Sequence, residues 1–173
     1  MPLTAYQRTV LRLLAANRSP DSYVAGGTIV NQGDSTPRYS DDIDLFHDPA
    51  ASVVSCAAAD IATLESHGYH VTRLHDGRSF IRATVQRDVH TVLIDWATDS
   101  AFRFFPVIAD AEIGYRLHPV DSATNKCLAL AGRTEVRDVI DVLTLHDSTL
   151  LLAPSAGLRA ARIPDSQPTC CST

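Results

Sequence analysis

Between Ser40 and Phe46 the chain reads Ser-Asp-Asp-Ile-Asp-Leu-Phe, and Asp42 and Asp44 alternate with Ile43 and Leu45. In an extended strand successive side chains point to opposite faces, so both carboxylates fall on one face and both aliphatics on the other. The aliphatic face needs a packed layer beneath it. The acidic face carries two like charges side by side, which a fold tolerates when something positive lies between them. A hard divalent cation, which takes oxygen ligands, is the usual solution. The alternative is a solvated edge strand begun by Asp41 and Asp42. Ile43, Leu45 and Phe46 argue for a packed strand instead.

The rest of the chain supplies such layers. Leu3, Tyr6, Val10, Leu13 and Leu14 recur at helical spacing. Pro20 breaks the chain in a turn from Asn17 to Ser22, and Tyr23-Val24-Ala25 reads as a short strand. A short helix is expected from Thr28, which can cap it. A polar loop from Gly33 to Ser40, with Pro37 and Arg38, leads into the acidic strand, Asp41 to Phe46. Asp48-Pro49 is a helix start, with Val53, Val54, Ala57, Ile61 and Leu64 as the buried stripe and Gly68 as the stop. Strands follow over Tyr69 to Leu74, Ser79 to Gln86 and Val89 to Trp96, the first two joined by the hairpin signal Asp76-Gly77. Phe102 to Val107 and Ile113 to Leu117 are two further extended runs. Asp121 caps a helix through Lys126 to Gly132, and Val136, Val139, Ile140, Leu143 and Leu145 mark a last helix. The pattern predicts an α+β fold: an antiparallel or mixed sheet built mostly from hairpins and flanked by helices. After Leu150 periodicity disappears, and residues 151–173 are expected to form a disordered tail.

Four groups of residues carry chemistry. In Gly26-Gly27-Thr28, glycines between a strand and a helix let backbone N–H groups approach an anion; a plain turn has the same spelling. Ser40 lies where its hydroxyl can bond a phosphate or a carboxylate. Asp95 stands in Val-Leu-Ile-Asp-Trp, an apolar strand, where a bare carboxylate is expensive. Either a salt bridge or edge position relieves it, or it is a third metal ligand beside Asp42 and Asp44. Lys126 is the single lysine of the chain. It either snorkels to water from a mostly buried helix or meets a triphosphate as a point charge. Asp138 and Asp141, three apart, share a helical face, and Arg137 and Asp141 are spaced for an i,i+4 pair.

Composition narrows the partners. A formal net charge of −5 disfavours a protein whose whole surface binds nucleic acid, although Arg38, Arg78, Arg82 and Arg133 leave room for a local basic cleft. No apolar run is long enough to span a membrane, and the N-terminus has no signal-peptide pattern. Cys56, Cys127, Cys170 and Cys171 lack metal-ligand spacing and read as reduced thiols of a cytoplasmic protein.

Four motifs occur in order: Gly26-Gly27-Thr28, Ser40 to Phe46, Asn125 to Arg133 and Val136 to Leu143. As an ordered set they resemble the AbiEii/AbiGii-type nucleotidyltransferase toxins of the DNA polymerase β-like nucleotidyltransferase superfamily, over roughly Tyr23 to Leu145. The resemblance implies a nucleotidyltransferase core over residues 1–118 and a C-terminal helical part of the same domain over 119–150. It implies transfer of a nucleoside monophosphate from an NTP, with Mg²⁺, to an acceptor. Characterised relatives modify tRNA ends, and a cognate antitoxin controls toxicity, so an RNA acceptor is expected ahead of a protein acceptor. Gly26, Gly27 and Thr28 match the phosphate-binding turn. Ser40, Asp42 and Asp44 match the Ser-x-Asp-x-Asp element, with the aspartates as metal ligands, and Asp95 matches a third carboxylate. Lys126 matches the nucleotide-contacting lysine, and Asp138 the base or orienting group for the acceptor. After Leu150 the chain departs from the family pattern, in which ordered helical sequence continues. Two other functions fit the same motifs: a nucleotide-binding protein without turnover, and a small-molecule nucleotidyltransferase.

Overall fold

The computed structural model describes residues 3–30, 40–48, 50–100, 102–132 and 135–148. The loop arginine Arg38, the helix-start Pro49, Arg133 and the tail over 151–173, with Cys170 and Cys171, lie outside the described residues, as does the side chain of Arg137.

Seven strands form one mixed sheet: β1 (Ser22–Ala25), β2 (Asp42–His47), β3 (His70–Asp76), β4 (Phe80–Arg87), β5 (His90–Thr98), β6 (Ile108–Asp110) and β7 (Gly114–Arg116). Their spatial order is β3-β4-β5-β2-β1-β7-β6. The β3–β4, β4–β5, β1–β2 and β6–β7 pairs are antiparallel, whereas β2–β5 and β1–β7 are parallel. The helices are α1 (Ala5–Leu14), α2 (Gly26–Val30), α3 (Ala50–Ser66), α4 (Pro119–Gly132) and α5 (Val136–Ser148).

The alternation in β2 sorts its residues as the sequence implies. Ile43, Leu45 and His47 are buried, while Asp42, Asp44 and Phe46 face the other side. Under the aliphatic side, Ile81, Ala83, Val85, Val92, Ile94 and Trp96 join Ile43 and Leu45 against α1 and α3. At roughly 25 cal/mol per Å² of apolar surface removed from water, this layer is the main source of stability.

Several expectations need correcting. Helix α2 begins at Gly26, because Thr28 is engaged elsewhere: its hydroxyl donates to the Asp42 carbonyl and accepts from the Asp44 N–H. Val54 is exposed; the inward face of α3 is Val53, Ala57, Asp60 and Leu64. Phe102 to Val107 forms no strand. Asp121 explains this, since it is not a cap but a buried residue inside α4 whose carboxylate accepts from the N–H groups of Phe104 and Phe105. The cap of α4 is His118, whose Nδ1 accepts from the Val120 N–H, with Pro119 in the first helical position. Helix α5 is turned over relative to its apolar pattern. Val136, Val139 and Leu143 are exposed, and Asp138, Asp141, Val142 and Leu145 point inward.

Candidate active site

The site is assembled on the acidic side of β2. The parallel β2–β5 register sets Asp44 beside Asp95, and the β4–β5 register sets Asp95 beside Arg82. Carboxylate oxygens of Asp42, Asp44 and Asp95 lie within 4.8 Å of one another. Ser40 donates to Asp42 Oδ1 at 3.1 Å, and the Gly27 N–H donates to Asp44 Oδ2 at 3.2 Å. Arg82 grips Asp95 with two parallel hydrogen bonds, Nε to Oδ1 at 2.7 Å and Nη2 to Oδ2 at 2.5 Å. For Asp95 the structure therefore contains both arrangements that the sequence left open: a salt bridge, and a place beside the other two carboxylates.

Gly26 explains why the turn is glycine. Its φ is +62°, and a Cβ there would lie 1.8 Å from Asp44 Oδ2. No side chain fits, and few residues adopt that backbone.

Opposite this cluster stands α4. Ser122, Asn125, Lys126 and Ala129 occupy one helical face and, with Gly26, Gly27, Asp42, Asp44, Phe46, Arg82 and Asp95, line a cavity of ≈ 210 Å³. Lys126 is nearly buried. Its Nζ lies 2.7 Å from Asp141 Oδ2 and 3.7 Å from Asp138 Oδ1, both on α5 and both fully buried. This accounts for the rotated face of α5: two carboxylates are drawn in by one ammonium, Val136, Val139 and Leu143 are left outside, and Val142 and Leu145 stay buried. Asp141 thus pairs with Lys126. Asp138 does not line the cavity and reaches it only through Lys126. Thr28 and Ser40 are likewise behind the cavity wall, Thr28 tying α2 to β2 and Ser40 orienting Asp42.

Burial and the neighbouring Asp42 push the Asp44 carboxyl up to about 7, with Asp95 adding to the shift and Lys126 and the Gly27 N–H opposing it. A carboxylate that resists ionisation beside two others is a site short of positive charge. The oxygen-only donor set fits a hard divalent cation.

Arg82, Ser122 and Asn125 were missed as site residues by reading the sequence. Two signals could have found them. Ser122 and Ala129 lie four before and three after Lys126, and Asn125 lies three after Ser122 and four before Ala129, all helical spacings. Arg82 follows from the tight turn at Asp88, where φ is 55°. Counting five residues back along β4 and five forward along β5 from the Arg87↔His90 pair brings Arg82 opposite Asp95.

The mixed sheet flanked by helices is a fold that the chain shares with solved nucleotidyltransferases. No family model matches the chain, and no curated protein matches its sequence. Solved structures do match its fold. JHP933 from Helicobacter pylori superposes with a TM-score of 0.60 at 18% identity, covering 83% of this chain and 66% of its own. A candidate nucleotidyltransferase from H. pylori gives 0.61 at 19% identity, covering 84% and 69%. MenT4, a nucleotidyltransferase toxin from Mycobacterium tuberculosis H37Rv, gives 0.66 at 13% identity, covering 89% of this chain and 61% of its own. The chain therefore spans roughly two thirds of the length of these proteins. No described helix is long and apolar enough to cross a membrane.

Proposed function

We propose that this protein is a metal-dependent nucleotidyltransferase of the AbiEii/AbiGii type, acting in the cytoplasm as the toxin of a toxin–antitoxin pair. It would move a nucleoside monophosphate from an NTP to an RNA acceptor, tRNA above all. The observation that carries this reading is the single cavity in which three clustered carboxylates face a glycine turn and the only lysine.

Asp42, Asp44 and Asp95 are the residues that would hold Mg²⁺, which supplies positive charge to the triphosphate and the attacking oxygen. Ser40 and the Gly27 N–H fix the orientation of Asp42 and Asp44. Arg82 does the same for Asp95. The Gly26-Gly27 backbone lets phosphate oxygens come close, and Lys126 stabilises the charge that builds on the departing pyrophosphate. Ser122 and Asn125, on the same helical face as Lys126, contact the nucleotide. The acceptor oxygen bonds to the α-phosphorus as the bond to the pyrophosphate oxygen breaks, and Asp95 takes the hydroxyl proton. Asp138, fully buried beside Lys126, has a positioning role in place of the base that the family resemblance implies.

The test is incubation of purified protein with labelled NTPs, Mg²⁺ and total tRNA. Label in RNA, absent from Asp42→Asn, supports metal-dependent transfer to an RNA acceptor. Label in protein or in a small molecule instead overturns the RNA acceptor. Binding of NTP–Mg²⁺ without product points to a nucleotide-binding protein without turnover. The antitoxin is tested separately, by whether a gene adjacent to this one encodes a protein that co-purifies with the chain and relieves growth arrest.

A further inference from the structure

The side of β4 that carries Arg82 continues beyond the cavity. Burial alternates along the strand: Ile81, Ala83 and Val85 are buried against the helices, while Phe80, Arg82 and Thr84 are only half-buried. Pairing with β3 sets Thr72 opposite Thr84 and His75 opposite Arg82, and every residue of β3 except Val71 is exposed. The rings of His75 and Phe80 lie 5.4 Å apart, and the Arg82 guanidinium lies over the Phe80 ring at 5.5 Å. Among the described residues, Asp95 is the one carboxylate that the alternation puts on this side of β3, β4 and β5. Arg82 is the one arginine of β3 and β4 on this side; Arg73, opposite Ala83, and Arg87, over the Tyr69 ring, fall on the side of the helices.

The position of this surface matters for chemistry. On the reading above, the Gly26-Gly27 turn and Lys126, which line the cavity on the β1 and α4 side of Asp44, would hold the leaving pyrophosphate there. In an in-line displacement the nucleophile enters opposite the leaving group. It must therefore arrive across Asp95, over β5 and β4.

We infer that the open side of β3 and β4, centred on the Phe80–His75 pair, binds the single-stranded 3′ end of the RNA acceptor; this rests on the nucleotidyl-transfer reading above. Unpaired bases stack on aromatic rings exposed on a sheet, and such stacking tolerates any base. The Thr84 hydroxyl donates to the Thr72 carbonyl and the Gln86 amide to the Asp88 carbonyl, which leaves the threonine hydroxyl oxygens as acceptors for ribose hydroxyls. Arg82, beneath Phe80 and bound to Asp95, links the stacked base to the reacting end.

The experiment is fluorescence anisotropy of the full chain with a labelled ten-nucleotide single-stranded RNA and with a blunt RNA duplex. Calorimetry of NTP–Mg²⁺ binding is run on the same samples. The single strand is expected to bind more tightly than the blunt duplex. Phe80→Ala is expected to weaken RNA binding about tenfold, His75→Ala to weaken it in the same direction, and Phe80→Tyr to keep it, with nucleotide affinity unchanged in all three. RNA binding that survives both alanine variants overturns this inference and leaves the nucleotidyltransferase reading standing. Failure of the parent protein to bind RNA while it binds NTP–Mg²⁺ overturns the inference and the RNA acceptor together. Failure to bind NTP–Mg²⁺ overturns the reading on which both rest.

Discussion

Gly26 and His47 sit on opposite sides of the same sheet and make opposite demands. At Gly26 the backbone has φ +62° and the Asp44 carboxylate fills the space where a Cβ would be. Gly26→Ala is therefore expected to cost more than about 2 kcal/mol, from left-handed backbone strain plus displacement of Asp44, measured by the urea midpoint. NTP–Mg²⁺ affinity in calorimetry should fall with it. At His47 the imidazole is fully buried, and neither ring nitrogen has a hydrogen-bond partner among the described residues. Burial, with nearby Arg18, lowers its pKa from 6.5 to about 4. The folded state keeps His47 neutral while the unfolded chain protonates, so its contribution to stability is present above pH about 6.5. It is lost as pH falls toward about 4, by up to about 3 kcal/mol. His47→Leu is expected to flatten that acid limb in a stability-versus-pH series.

The two helical layers differ in how much of them could be read from sequence. Strand β2 was legible because a period of two sorts residues without reference to anything distant. Helix α3 was legible as a helix, but not its buried charge. Asp60, fully buried, accepts from Arg18 at 2.5 Å, from Trp96 Nε1 at 2.7 Å and from Asn17 at 2.9 Å, joining α3 to the sheet and to the turn after α1. These three partners come from distant parts of the chain or from a register that no local pattern encodes. Asp60→Ala strands a buried guanidinium and is expected to cost about 3–5 kcal/mol in the denaturation midpoint. Helix α5 was misread for a related reason. Its aliphatics predict one buried face, yet the attraction of Asp138 and Asp141 to Lys126 turns the other face inward. Lys126→Met is therefore expected to destabilise the fold by about 3 kcal/mol as well as abolish transfer. Loss of activity in that variant says little unless stability is measured beside it.

The molecule as a whole places its charge unevenly. One side of β2 is an apolar core layer. The other gathers Asp42, Asp44 and Asp95 under a single ammonium that is itself shared with two more carboxylates. Asp44 has its folded pKa raised from 3.8 to about 7, so its ionisation works against the fold as pH rises through that window. Added Mg²⁺ is accordingly expected to raise the melting temperature more at pH 8 than at pH 5, and to lose that pH dependence in Asp44→Asn. The central claim is that this acidic face, with the glycine turn and Lys126, transfers nucleotides. Its most direct measurement is release of pyrophosphate together with label transfer from an α-³²P-labelled NTP to tRNA, in the parent and in Asp42→Asn and Asp44→Asn. Mg²⁺-dependent transfer by the parent and none by either folded variant is the predicted result. Transfer that persists in a folded Asp42→Asn, or that proceeds at full rate in excess EDTA, contradicts the account.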